Sequence, residues 1–253
     1  MGILNITPDS FSDGGHFNKQ SPAIRHAVEM VREGADIIDI GGESTRPGYQ
    51  PVSAEEEIRR VLPIISAIRD CSDVPISIDT YKAETARRAL EAGADIINDI
   101  WGAKADSEMA YVAADYDAPI ILMHNRDNNQ YADIIAEMKT DLADSINLAR
   151  QAGVRPERII LDPGIGFAKD HNQNLYVMNH LQEFHQLGYP ILLGTSRKGF
   201  IGRTLGTTVD QRVEGTGATL CLGITKGCQI MRVHDVLEMA RMAKMMDTML
   251  QVN

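Results

Sequence analysis

EGADIID (residues 33–39) and AGADIIN (residues 92–98) are the stretches whose reading decides the fold. Each begins where a helical pattern stops, turns at a glycine, and runs into a short β-branched segment ending in a polar residue. Gly34 and Gly93 sit where helix ends favour a residue that tolerates positive φ. The run after each is the length of a buried strand. A helix–glycine–strand unit that occurs twice predicts repeated units.

Outward from this pair, similar apolar runs fall at residues 2–6, 36–41, 75–79, 95–100, 119–123, 158–162, 190–194 and 229–233. Helical spacing fills 22–33, 54–68, 82–92, 134–152, 174–187 and 236–250 between them. Near-continuous apolar strands imply a sheet buried on both faces. Strand and helix alternate about eight times, so the expected fold is α/β, a single (β/α)8 barrel domain over residues 1–253. A doubly wound open sheet is the competing arrangement.

The composition is that of a globular protein, with 253 residues and 43% hydrophobic content. The net charge of -10 argues against nucleic acid or an anionic membrane surface as partner. No apolar run is long enough to span a membrane. The start, Met1 to Asn5, lacks the basic region and apolar core of a signal peptide. Cys71, Cys221 and Cys228 lack CxxC spacing and read as buried thiols of a reducing compartment. A cytoplasmic location is expected.

Chemistry in such a barrel collects at the C-terminal ends of the strands. Here these ends carry Asn5, Gly41-Gly42-Glu43, Asp79-Thr80, Asn98-Asp99, His124-Asn125, Asp162, Thr195 to Lys198, and Arg232 with His234. One Asp or Asn after a strand is ordinarily a cap or turn residue. Polar residues on nearly every strand end, facing one mouth, predict a site. Asp79, Asn98 and Asp162 suit a flat heterocycle bearing N–H groups and an exocyclic amine. Lys198, Arg232 and His234 suit an anion such as a phosphate. Asn5 offers a hard oxygen to Mg²⁺ bridging to phosphates. No GxGxxG, Walker loop, HExxH, GxSxG or EF-hand motif is present.

Five motifs sharpen this reading: MGILNITPDSFSDGG (1–15), GGESTRPG (41–48), IDT (78–80), LDPGIGF (161–167), and TSRK (195–198) with RVH (232–234). In these the chain resembles the dihydropteroate synthase family over residues 1–234. The resemblance implies a pterin-binding barrel of folate biosynthesis and a sulfonamide target. It implies condensation of 6-hydroxymethyl-7,8-dihydropterin pyrophosphate with p-aminobenzoate, Mg²⁺ as cofactor, and a homodimer. It places pterin contacts on Asp79, Asn98, Asp162 and Lys198. It places pyrophosphate contacts on Asn5, Arg232 and His234, with the metal on Asn5. It places p-aminobenzoate contacts on Phe11, Thr45, Arg46, Pro47 and Phe167. Asp79, Lys198, Arg232 and His234 are the expected catalytic groups. A helix start after Lys198 would offer free N–H groups to the p-aminobenzoate carboxylate at Gly199, where many members carry Ser. A non-catalytic pterin-binding paralogue and a pterin-dependent methyltransferase are the alternatives. The last helix carries Met239, Met242, Met246 and Met249 at helical spacing, a stripe expected to pack on the barrel.

Overall fold

Six parallel strands run in chain order in one sheet: β1 Gly2–Asn5, β2 Ile38–Gly41, β3 Ile76–Asp79, β4 Ile96–Asp99, β5 Ile120–Met123 and β6 Ile159–Asp162. A parallel pair, β7 Leu192–Leu193 and β8 Ile230–Met231, completes the set. Single parallel bridges close the ring, Leu161 to Ile191 on one side and Gly2 to Val233 on the other. Ile3 N donates to Val233 O at 2.9 Å, and Val233 N to Met1 O at 2.9 Å. The computed structural model describes residues 1–6, 22–43 and 51–252. The architecture is the expected barrel, with helices between successive strands.

The helices are α1 Pro22–Glu33, α2 Ala54–Arg69, α3 Ala83–Glu91, α4 Met109–Asp115, α5 Ile134–Gln151, α6 His171–Asn179, α7 Gly199–Leu205, α8 Val213–Thr225 and α9 Val236–Gln251. Local chemistry sets several starts. Ser53 caps α2 by accepting from Glu56 N, and Asp133 caps α5 by accepting from Ala136 N. Asp170 and Gln173 form a reciprocal capping box at α6. Gly34 and Gly93, the glycines of the repeated unit, have φ of 108° and 110°.

Three expectations are corrected. The segment 174–187 is not one helix: α6 ends at Asn179, His180 leaves helical geometry at φ -115° and ψ 19°, and Leu181–Leu187 continues as 3₁₀ turns. Cys71 is exposed and only Cys228 is fully buried among the three free thiols. The methionine stripe splits. Met239 is buried and Met242 packs beside Gly217, whereas Met249 is half exposed at 50%.

Strand alternation decides what lines the barrel. Ile38, Ile40, Ile76, Ile78 and Ile97 point out into the large core beneath the helices. Ile96, Ile121 and Leu192 point inward and form a small apolar plug with Met1, Ile37, Ile160 and Ile230. Above that plug the inward positions turn polar, and there the site begins.

Candidate active site

Asn5, Gly41 and Asp79 are register neighbours at the ends of three adjacent strands. Gly41 keeps this corner open, since a Cβ there would stand 3.7 Å from both Asn5 Oδ1 and Asp79 Oδ2. Gly194 does the same opposite, where a Cβ would come within 3.8 Å of Asp162 Oδ2 and 4.0 Å of the Arg232 side chain. Two inward glycines thus leave space between the polar groups.

Beneath this space Arg232 reaches across the barrel. Its Nε donates to Asp39 Oδ2 and its Nη2 to Asp79 Oδ2, both at 2.6 Å. Asp39 is fully buried and also accepts from Asn98 Nδ2 at 3.3 Å. One guanidinium thus serves two buried acids and leaves Nη1 with no bond to a described residue. Burial opposes its charge, yet Asp39 and Asp79 hold the Arg232 pKa above its ordinary value. Burial pushes the Asp79 pKa up to about 7; Arg232 opposes this and the neighbouring Asp39 adds to it. Asp79 Oδ1 is buried and has no hydrogen-bond partner among the described residues. An orphaned buried acceptor beside open space marks where a ligand's N–H belongs.

Across the space, Asp162 Oδ1 accepts from Gly164 N at 2.7 Å. Burial raises the Asp162 pKa, and the ammonium of Lys198 opposes the rise. Burial pushes the Lys198 pKa down to about 8 while Asp162 holds it up. Lys198 Nζ donates to Ile165 O and lies 4.7 Å from the centroid of the Phe167 ring. At the rim, Ser196 Oγ bonds His234 Nδ1 at 2.9 Å and accepts from His234 N at 3.1 Å.

Asp79, Asn98, Asp162, Lys198 and Arg232 therefore meet around one space, with Asn5 next to Asp79, Phe167 next to Lys198, and His234 at the rim. Gly199 is exposed at the first position of α7, as expected for a helix start after Lys198. Phe11, Thr45, Arg46 and Pro47 lie outside the described residues. The second loop's stem is firmly tied: Glu43 Oε2 accepts from Val52 N at 3.1 Å and from Lys82 Nζ at 2.6 Å. Arg197, which shares the seventh strand end with Lys198, is paired with Asp235 through Nε at 3.0 Å. Its φ of 57° turns it away as Lys198 turns in.

Sequence reasoning missed Asp39 and Lys169. Asp39 stood inside the repeated unit, and its inward position followed from strand alternation; its pairing with Arg232 carried no local signal. Lys169, just past the LDPGIGF motif, carried none at all.

Comparison with known proteins adds three findings. The pattern defining the pterin binding enzyme family matches residues 1–234. A dihydropteroate synthase of Clostridium beijerinckii is 60% identical over 248 residues, 98% of this chain and 92% of that protein. Crystal structures of two similar enzymes superpose closely. The Clostridium difficile synthase, determined in the presence of pteroic acid, gives a TM-score of 0.95 at 52% identity, covering 100% of this chain and 96% of that one. The Xanthomonas albilineans synthase with 4-aminobenzoic acid gives 0.93 at 40% identity, covering 100% and 93%.

Proposed function

The chain belongs to the pterin-binding enzymes and, among them, to the dihydropteroate synthases, and from that membership we propose how its own residues divide the work. The enzyme is a transferase of folate biosynthesis. It condenses 6-hydroxymethyl-7,8-dihydropterin pyrophosphate with p-aminobenzoate. The bond from the exocyclic methylene to the pyrophosphate oxygen breaks, and a bond to the aniline nitrogen forms as that nitrogen gives up a proton. The products are 7,8-dihydropteroate and pyrophosphate.

The single observation that carries the assignment of residues is the unpartnered Asp79 Oδ1 beside the space held open by Gly41 and Gly194. A dihydropterin offers ring N–H and amine donors to Asp79, Asp162 and the Asn98 carbonyl oxygen, and acceptors to Lys198. An N–H bonded to Asp79 Oδ1 favours the carboxylate form. That negative charge then stabilises the positive charge developing on the methylene as pyrophosphate departs. Arg232, through Nη1, and His234 take the pyrophosphate side. Phe11, Thr45, Arg46, Pro47, Phe167 and the start of α7 at Gly199 hold p-aminobenzoate near the methylene and exclude water.

Asn5 would hold Mg²⁺. Its amide oxygen is a hard donor at an exposed strand end. Among the described residues no cluster of three acidic, His or Cys side chains could hold a metal. A single amide oxygen would suit an ion that keeps most of its own water. When bound, it supplies positive charge to the leaving pyrophosphate.

No helix among the described residues is long and apolar enough to cross a membrane. We place the enzyme in the cytoplasm, where thiols such as Cys71, Cys221 and Cys228 stay free. We also propose a homodimer, a reading supported by Met245, Met249 and Leu250 exposed near the end of α9. The decisive assay follows dihydropteroate formation from the two substrates, with Mg²⁺ and after chelation. Metal-dependent product is expected. Absence of product with both substrates and metal supplied would overturn the residue assignment.

A further inference from the structure

The loop between β6 and α6 has an improbable backbone. Gly164, Gly166 and Ala168 have φ of 65°, 88° and 48°. Alanine in left-handed geometry is disfavoured, so surrounding contacts must hold it there. Those contacts are side chains that capture the loop's carbonyls. Lys169 Nζ donates to Gly164 O at 3.0 Å and to Phe167 O at 2.9 Å. Lys198 Nζ takes Ile165 O, and Tyr131 Oη donates to Ala168 O at 2.9 Å.

The third ammonium proton of Lys169 has its own acceptor, His124 Nδ1 at 3.0 Å. His124 is buried at 1% exposure, and its Nε2 stands 3.0 Å from Asp141 Oδ2. Burial and the neighbouring Lys169 push the His124 pKa down to about 3. A neutral ring gives its Nε2–H to Asp141 and turns the Nδ1 lone pair to Lys169. Arg126 Nε, at 2.5 Å from the same Asp141 oxygen, completes the chain. All three donors of the ammonium are therefore matched, the condition under which a buried charge is tolerable. Desolvation still pushes the Lys169 pKa down to about 7. A lysine kept in so unfavourable a place invites a question about what it holds. It holds the loop after β6 that carries Phe167.

We infer that Lys169, itself fixed by His124 and Asp141, is a positioning residue for the condensation: it sets the 163–168 loop so that Phe167 stands beside Lys198 at the p-aminobenzoate end of the site. Asp162 needs this support less, because it lies on β6 in register with Met123 of β5. The inference rests on the proposed contact of Phe167 with p-aminobenzoate and extends it to a residue that touches neither substrate.

Three variants test it: Lys169→Met, Tyr131→Phe and Phe167→Ala. For each, kcat and the KM for p-aminobenzoate are measured at saturating pterin pyrophosphate, and the Kd for pterin pyrophosphate by calorimetry. Lys169→Met is expected to raise the p-aminobenzoate KM by roughly tenfold or more while the pterin Kd moves less than about threefold. Tyr131→Phe removes one neutral hydrogen bond from the same loop and should move the same KM in the same direction, by roughly threefold. If Lys169→Met does not fold, Tyr131→Phe alone decides. If Phe167→Ala raises the KM while Lys169→Met and Tyr131→Phe leave it unchanged, the inference is overturned and the Phe167 assignment stands. Equal losses for both substrates, or a lower Tm with unchanged KM, also overturn it. If Phe167→Ala leaves the KM unchanged, the assignment itself falls and takes the inference with it.

Discussion

Arg232→Met removes the cation at the centre of the barrel, and its effect on stability follows from the geometry. Among the described residues, Arg232 is the cation hydrogen-bonded to Asp39 and Asp79, which are 0% and 7% exposed. Breaking a buried ion pair by removing one partner costs about 3–5 kcal/mol. Here one loss strands two carboxylates, so the upper end, about 5 kcal/mol, applies at pH 8. That approaches the whole stability of a domain, about 5–15 kcal/mol. Acid relieves the penalty. Without Arg232 the folded-state pKa of Asp79 rises further above the unfolded value, so the folded variant binds more protons and gains stability as pH falls. In the parent enzyme Asp79 already titrates at about 7 and contributes the same sign of dependence. In the variant Asp79 takes up its proton at higher pH than in the parent, so the gap between the two should narrow as pH falls from 8, by at most about 1.4 kcal/mol per pH unit. Urea unfolding followed by circular dichroism at pH 5, 6, 7 and 8 measures the gap. A loss under about 1 kcal/mol at pH 8, or a gap that widens toward pH 5, would refute the reasoning. If the variant is unfolded at pH 8, recovery at pH 5 is the result to look for.

Asp162→Asn keeps an acceptor for Gly164 N but replaces a carboxylate oxygen with a donor, so calorimetry should show pterin pyrophosphate binding weakened by about 1–3 kcal/mol; unchanged affinity would remove Asp162 from the pterin site. Gly199→Ser should fold normally, because a Cβ there meets nothing within 4 Å. It should lower the p-aminobenzoate KM modestly, since a hydrogen bond to a charged acceptor is worth about 1.5–3 kcal/mol at most and less where water already serves. Weakened pterin binding with an unaltered p-aminobenzoate KM would mean that the carboxylate has been put at the wrong end. Light scattering at micromolar concentration should give the dimer mass, and a monomeric mass would end that proposal.

The barrel was legible because its signals are local. A glycine after a helical pattern and a β-branched run after that glycine each act over a few residues, and EGADIID and AGADIIN show the unit twice. Alternation on the folded strands puts Ile38 and Ile40 outward and Asp39 and Gly41 inward, a period of two that is legible in the sequence at Arg232 and His234. Strand-end position identified Asp79, Asn98, Asp162 and Lys198, since parallel strands bring their C-terminal ends to one mouth. What alternation could not say is which inward residue faces which. Arg232 meets Asp39 across 193 positions and Lys169 meets His124 across 45. Such pairings depend on strand register, on ring closure at Gly2 and Val233, and on a left-handed loop, none of which leaves a periodic trace. The same holds for Arg197, whose charge is plain in the sequence and whose neutralisation by Asp235 is not. Sequence determined which groups arrive at the mouth, because secondary structure is a short-range property. Tertiary structure decided which charges are spent on one another and which atom, Asp79 Oδ1, is left without a partner among the described residues, because electrostatic pairing in a buried space depends on distances that only the closed barrel sets.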